Sequence, residues 1–414
     1  MSSKQGSLHV DRNFKIAQTD RRLFGAFLEH LGRAVYTGVY EPGHPSADNM
    51  GFRQDVLSLV GELGCTIVRY PGGNFLSGYD WTDGIGPREK RPKKLDYAWF
   101  TIESNQFGID EFVDWSRKAK TGVIAAVNMG TGSIQSAGNM VEYCNFEKGS
   151  YWSDLRRQNG RQDPHNIKLW CVGNEMDGPW QTGQLEAVDY GKKAREAGKI
   201  MKWVDPSIEL VICGSSNNFI PSHPAYDRIA LEQTYEYADY LSLHRYYRET
   251  DSRIGFLASF LGMDSFIHTV AATADYVKAL KRNKKTLNLS FDEWNVWYND
   301  PLRSQDFARQ DPEMGRDPEK ISGYYNGPPH KLENNYSMLD ALCFGGLFMC
   351  LVNNADRVKI ACLAQLVNVI APIITKENGP AIRQSIFYPF RDMSMYGQGV
   401  VLQTASDIPR IETP

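Results

Sequence analysis

Residues 168–175 read KLWCVGNE, and this short stretch decides the fold class. Leu169 to Val172 form an apolar run too short for a helix, closed by a turn-forming Gly173-Asn174 pair. Such a run reads as a strand buried on both faces, the kind found in parallel sheets. It ends in a carboxylate, Glu175. Residues 287–293, LNLSFDE, repeat the pattern and end in Glu293. Moving outward, six further runs fit the same template: Leu23–His30, Cys65–Pro71, Val123–Met129, Glu209–Gly214, Tyr240–His244 and Lys359–Val367. Together with Lys168–Gly173 and Leu287–Asp292 they make eight strand candidates.

Segments with helical spacing lie between them. Val56, Leu59, Val60 and Leu63 mark one apolar stripe, and Ile109, Phe112 and Val113 another. Ile267, Val270, Ala271, Ala274 and Val277 mark a third; Leu185, Val188 and Met201 are read into a fourth that stops before Pro206. Eight strand–helix units predict an α/β fold, a closed (β/α)8 TIM barrel. Val10, Phe14 and Ile16 alternate with polar residues ahead of the first barrel strand, and residues 381–406 read as strands and turns. The expected organisation is an N-terminal sandwich strand over 1–20, the catalytic barrel over 21–378, and the start of a flanking β-sandwich over 379–414. That sandwich is expected to be incomplete at Pro414, with sheet edges unpaired. Asp300–Asn335, rich in charge, Pro and Gly, reads as a long loop before the eighth strand.

Composition narrows the function. With 414 residues and 42% hydrophobic side chains the chain supports a large core. A net charge of −3 argues against nucleic acid or an anionic membrane as partner. No apolar run is long enough to span a bilayer, the N-terminus lacks the pattern of a secretory signal, and seven scattered cysteines fit buried thiols in a reducing cytoplasm. Nine Trp, 21 Tyr and 19 Phe suit a surface that grips sugar rings, although most aromatics fill cores.

In a barrel of this kind the chemistry sits at the C-terminal ends of the strands. Reading those ends yields Glu29, the run Pro71-Gly72-Gly73-Asn74, Asn128, Asn174-Glu175, His244-Arg245-Tyr246, Asp292-Glu293 and Gln365. Glycoside hydrolysis needs two carboxylic acids, one to protonate the leaving oxygen and one ionised to attack the anomeric carbon. Glu175 and Glu293, on strands four and seven, are predicted to face each other across the mouth at the roughly 5–5.5 Å of a retaining enzyme. Each alone reads equally as an ion-pair or helix-capping residue. Arg69 could hold Glu293 ionised or be a plain salt bridge; His244 could orient a carboxylate or be a satisfied core histidine. Tyr246 and Trp297 suit a sugar pocket or the core. The glycines of 71–74 lack a P-loop lysine, and no metal-ligand spacing is present, so neither a phosphate loop nor a metal site is expected.

Longer stretches carry a resemblance. FGAFLEHLGRAVYTGVYEPGHPSAD (24–48), VRYPGGNFLSGYDWTDGIGP (68–87), LWCVGNEMDGPWQ (169–181), LSLHRYY (241–247), FDEWNVWY (291–298) and ADRVKIACLAQLVNVIAPI (355–373) are similar to glycoside hydrolase family 51, the intracellular α-L-arabinofuranosidases. The resemblance implies Glu175 as acid/base and Glu293 as nucleophile of a retaining, exo-acting enzyme that releases terminal L-arabinofuranose from arabinan or arabinoxylan oligosaccharides. It implies that Glu29, Asn74, Asn174, Tyr246 and Gln365 hold arabinose hydroxyls. Arg69 and His244 would support them, with Trp297 beside the sugar and Trp99 bordering the leaving group. It further implies no cofactor, a cytoplasmic location and a homo-oligomer, often a hexamer. A β-xylosidase or endo-glucanase on the same barrel, or a non-catalytic sugar-binding descendant, are the rival readings.

Overall fold

The computed structural model describes residues 6–298, 324–409 and 412. Eight strands close into a parallel barrel: β1 (Gly25–Phe27), β2 (Ile67–Tyr70), β3 (Gly122–Val127), β4 (Leu169–Val172), β5 (Glu209–Ile212), β6 (Tyr240–Tyr247), β7 (Asn288–Val296) and β8 (Val358–Leu363). Neighbours in sequence are neighbours in the sheet, and β7 pairs with β6 on one side and β8 on the other. All four residues of β4 are buried, as the continuous apolar run requires.

The helices form an outer layer on apolar stripes. Helix Gln54–Leu63 buries Val56, Leu59, Val60 and Leu63, each contributing about 2 kcal/mol by area. Gly64 ends it with φ +74, in the left-handed region, where a glycine cap carries no side-chain penalty. Helices Ile109–Ala119 and Ser259–Leu280 likewise bury the residues their spacing selects. Helix Ala187–Val204 does not follow the expected stripe. Val188 is exposed and Leu185 lies ahead of the helix; the buried face is Tyr190, Gly191, Ala194, Ala197, Gly198 and Met201. Small residues let this helix lie close against helix Ala225–Thr234, where Gly191 faces Gln233 and Ala230.

Residues 381–406 also depart from the strand-and-turn reading. A short strand Ala381–Arg383 is followed by helix Phe387–Tyr396, and only then by strand Val400–Asp407. Phe387, Phe390 and Ser394 form the helix's buried stripe, and Phe390 meets Phe348 at 5.3 Å between ring centroids. Pro389 sits in the first turn, where its missing N–H removes no helical hydrogen bond. Strand Val400–Asp407 pairs antiparallel with strand Ser7–Gln18, so both chain ends build the sheet that flanks the barrel. Leu8, Val10 and Phe14 of this ribbon are exposed. Of the loop read over Asp300–Asn335, residues 300–323 lie outside the described residues; its final part is fixed by a buried Arg33–Glu333 ion pair at 2.7 Å. All seven cysteines are buried free thiols. Among the described residues no helix is long and apolar enough to cross a membrane.

Candidate active site

Parallel strands put the ends of β1, β2, β4, β6, β7 and β8 around one mouth, and the polar residues read from the sequence converge there. Glu175 follows Gly173-Asn174 after β4. Gly173 has φ +97 and Glu175 itself φ +43, a left-handed backbone that non-glycine residues adopt at a cost of about 1–3 kcal/mol. Glu293 lies within β7. It is 7% and Glu175 8% exposed, so each keeps a narrow opening to solvent.

The two carboxylates flank His244. Nδ1 of His244 lies 3.1 Å from Glu175 Oε1 and 3.5 Å from Glu293 Oε2, and the three nearest ligand-type atoms of this group fall within 4.8 Å of one another. On its other side, Nε2 lies 3.1 Å from Ser242 Oγ and 3.4 Å from Asp292 Oδ1. Burial alone would lower the imidazole's pKa, but the negative charge of Glu293 and the bonds to Asp292 and Glu175 outweigh it and lift it to about 10. The Glu175–His244–Glu293 ligand atoms have the spacing of a metal site, and both ring nitrogens of His244 are already engaged, Nδ1 by the two glutamates and Nε2 by Ser242 and Asp292.

Arg69, buried on β2, ties the cluster together. Its guanidinium donates to Glu293 Oε2 at 3.2 Å and to Asn174 Oδ1 at 2.6 Å, and its Nε lies 3.4 Å from Asp292 Oδ2. Burial opposes the charge on Asp292, yet Arg69 and His244 hold its carboxyl down at about 2. Glu293 is pushed above the usual glutamate range by burial, with Glu175 adding; His244, Arg69 and the Tyr246 hydroxyl, which donates at 2.6 Å, oppose that rise. Asn174 has spent its carbonyl on Arg69, while its buried Nδ2 has no partner among the described residues and remains an available donor. Trp297 packs edge-on to Tyr246 at 5.2 Å.

Glu29 occupies a second network. Its Oε1 accepts from the Phe75 N–H at 3.0 Å and the Trp99 indole at 2.9 Å, and its Oε2 accepts from Gln365 Nε2 at 3.1 Å. No cation touches it in this set, and burial lifts its pKa to about 8, with the charge of Glu293 adding. The double glycine makes room for it. A Cβ on Gly72 (φ +155) would stand 2.4 Å from Glu29 Cγ, and one on Gly73 would sit 3.4 Å from both Glu29 Oε2 and Glu293 Oε2. The two networks therefore meet over Gly73, and Asn74 opens the 3-10 turn Asn74–Gly78 just beyond.

The eleven residues given roles from the sequence lie in or beside this mouth, whereas of the other strand-end candidates Asn128 bonds Tyr79 and Thr131 and Arg245 bonds Asn218. Three contributors were not singled out: Ser242, Phe75 and Trp180, whose indole donates to Glu175 Oε2 at 2.6 Å. Asp292 was legible only as a neighbour of Glu293, because adjacent strand residues should face opposite sides. Here β7 sets two residues, Phe291 and Asp292, against one of β6, Leu243, between the Ser290–Ser242 and Glu293–His244 pairs, and the bulge turns both acids inward.

A closed parallel barrel with two buried carboxylates facing across its mouth defines a glycoside hydrolase by fold and site. The sequence matches two family models, the α-L-arabinofuranosidase 1 domain over residues 59–259 and the α-L-arabinofuranosidase C-terminal domain over residues 292–414. It is 54% identical over 98% of its length to an intracellular exo-α-(1→5)-L-arabinofuranosidase of Halalkalibacterium halodurans, covering 78% of that protein. Against its Bacillus subtilis counterpart it is 52% identical, over 99% of this chain and 79% of the relative. A family 51 α-L-arabinofuranosidase from Bifidobacterium longum superposes with a TM-score of 0.92 at 43% identity, over 100% of this chain and 80% of that one. The chain belongs to glycoside hydrolase family 51, the α-L-arabinofuranosidases.

Proposed function

We propose that this enzyme is a retaining, exo-acting α-L-arabinofuranosidase that removes terminal non-reducing L-arabinofuranose from arabinan- or arabinoxylan-derived oligosaccharides by double displacement. Glu293 attacks C1 while Glu175 passes a proton to the glycosidic oxygen, so the C1–O bond breaks as the Glu293–C1 bond forms. Glu175, now a base, then takes a proton from water, whose oxygen displaces Glu293 from C1 and restores the configuration.

The observation that carries the reading is the His244-bridged pair with ligand atoms within 4.8 Å, near the short retaining gap of about 5–5.5 Å and too tight for the intervening water an inverting enzyme needs. Arg69, Tyr246 and His244 all donate toward Glu293 and favour its anion, as a nucleophile requires. Arabinose hydroxyls fall to Asn174 Nδ2, Tyr246, Asn74 and the Glu29–Gln365 pair. Trp297 lies beside the sugar and Trp99 borders the leaving group, while Arg69 and His244 act through the carboxylates they hold. The relatives' names carry over a proposed cytoplasmic location, and a homo-oligomer is proposed with it.

A fluorinated arabinofuranosyl or arabinose-configured cyclitol probe tests the assignment. A covalent adduct mapped by peptide mass to Glu293 is the expected result, and an adduct elsewhere, or inversion of configuration in the product, would overturn it. Aryl α-L-arabinofuranoside should be turned over far faster than aryl β-xyloside or cellulose.

A further inference from the structure

Glu103 and His30 lie outside the catalytic pair, yet both are buried ionisable residues at the edge of the mouth, 6% and 5% exposed. They join at 2.9 Å between Glu103 Oε2 and His30 Nδ1. The Tyr36 hydroxyl and the Asn105 N–H also donate to Glu103, while His30 Nε2 meets the Tyr70 hydroxyl at 2.7 Å. Four hydrogen bonds on two side chains is heavy provision for a packing contact, and both ends of the pair lead to Glu29.

One route runs through the ring of His30, which stacks on Phe75 at 4.8 Å and 19°. The backbone N–H of Phe75 is the donor on Glu29 Oε1. The other runs through a hairpin. Glu103 ends the strand Thr101–Glu103, which pairs antiparallel with Lys94–Asp96. Asp96 accepts from the N–H groups of Ala98 and Trp99 at 2.9 and 3.2 Å and so shapes the tip. From that tip the Trp99 indole reaches the same Oε1 at 2.9 Å. The hairpin is short and its strands are largely exposed on one side, so its placement depends on anchors.

We infer that Glu103 and His30 are positioning residues for the sugar-binding carboxyl: the buried pair fixes Phe75 and the Trp99 hairpin so that both donors meet Glu29. The inference rests on the reading that Glu29 holds the arabinose. It assigns the aromatic hairpin a role in organising the glycone pocket, in addition to lying along the leaving-group side.

The test is a cycle on the full chain with 4-nitrophenyl α-L-arabinofuranoside. Glu103→Gln keeps the shape and removes the charge; its kcat/KM should fall about tenfold. Trp99→Phe, which deletes the indole donor, should fall by a similar factor, and the double variant should fall by much less than the product of the two, since residues acting as a unit are non-additive. Losses that multiply fully would overturn the inference, as would an unchanged Glu103→Gln enzyme. Should Glu103→Gln fail to fold, Tyr36→Phe removes one donor to the same carboxylate and must show the same non-additivity at smaller amplitude. Glu29→Ala serves as the reference: if it leaves kcat/KM intact, the parent reading of Glu29 fails, whereas a loss there with none at Glu103 defeats only the positioning role.

Discussion

Glu293 and Glu29 are the same residue type, both buried in the same mouth and both near Gly73, yet they are held differently. Glu293 is surrounded by positive partners, Arg69 and the His244 imidazolium, together with the Tyr246 hydroxyl. Among the described residues Glu29 receives only neutral donors, a backbone N–H, an indole and an amide. The contrast is between a carboxyl whose cationic partners oppose the rise that burial imposes and one whose rise no cation opposes. Partner charge, more than depth, separates them.

The largest effect expected at this contrast is loss of the nucleophile. Glu293→Ala should lower kcat by more than about a thousandfold, measured with an activated aryl arabinofuranoside; near-normal turnover would break the assignment. Next comes Glu175→Ala, which should cost roughly 10²–10⁴ in rate for poorly activated leaving groups and far less for an activated one, with azide rescuing the second step. Equal losses across leaving groups would argue against an acid role.

Arg69→Met removes the cation shared by two buried carboxylates, Asp292 and Glu293. Denaturant unfolding should show a loss of about 3–5 kcal/mol, the typical consequence of stranding a buried charge. A change below about 1 kcal/mol would mean that His244 alone neutralises the pair.

The smallest and most specific effect concerns pH. Glu29 has its pKa raised from 4.5 to about 8. Between those values the folded chain keeps a proton that the unfolded chain has released, so this site's contribution to stability is full below about 4.5 and is lost as pH rises through about 8. Ionised Glu29 would also repel the Glu293 anion. The kcat/KM profile should therefore fall on its alkaline side near pH 8, and Glu29→Gln should flatten that limb while lowering the plateau severalfold. An unchanged alkaline limb in the variant would place the titrating group elsewhere.

Most of this site was legible along the chain because a parallel barrel converts position into geometry. Any polar residue closing an apolar run lands at one rim, so Glu29, Glu175, His244 and Glu293 could be collected before any contact was known. What escaped depended on departures from regular periodicity. Trp180 reaches Glu175 from a loop, Glu103 acts from a hairpin that no pattern ties to Glu29, and Asp292, read only as part of a strand end, joins the mouth through a bulge. Helix Phe387–Tyr396 was hidden for a related reason: its aromatic residues suit a strand locally, and its i, i+3, i+7 stripe gains meaning only against Phe348 and its neighbours.

The order of apolar runs and polar termini by itself determined the barrel, the rim and the identity of the facing carboxylates, since these follow from two short periods and chain direction. Only the tertiary structure decided which glutamate is wrapped in cations and which in neutral donors, because partners such as Arg69 and Glu293, 224 residues apart in the chain, are brought together by closure of the sheet rather than by anything local.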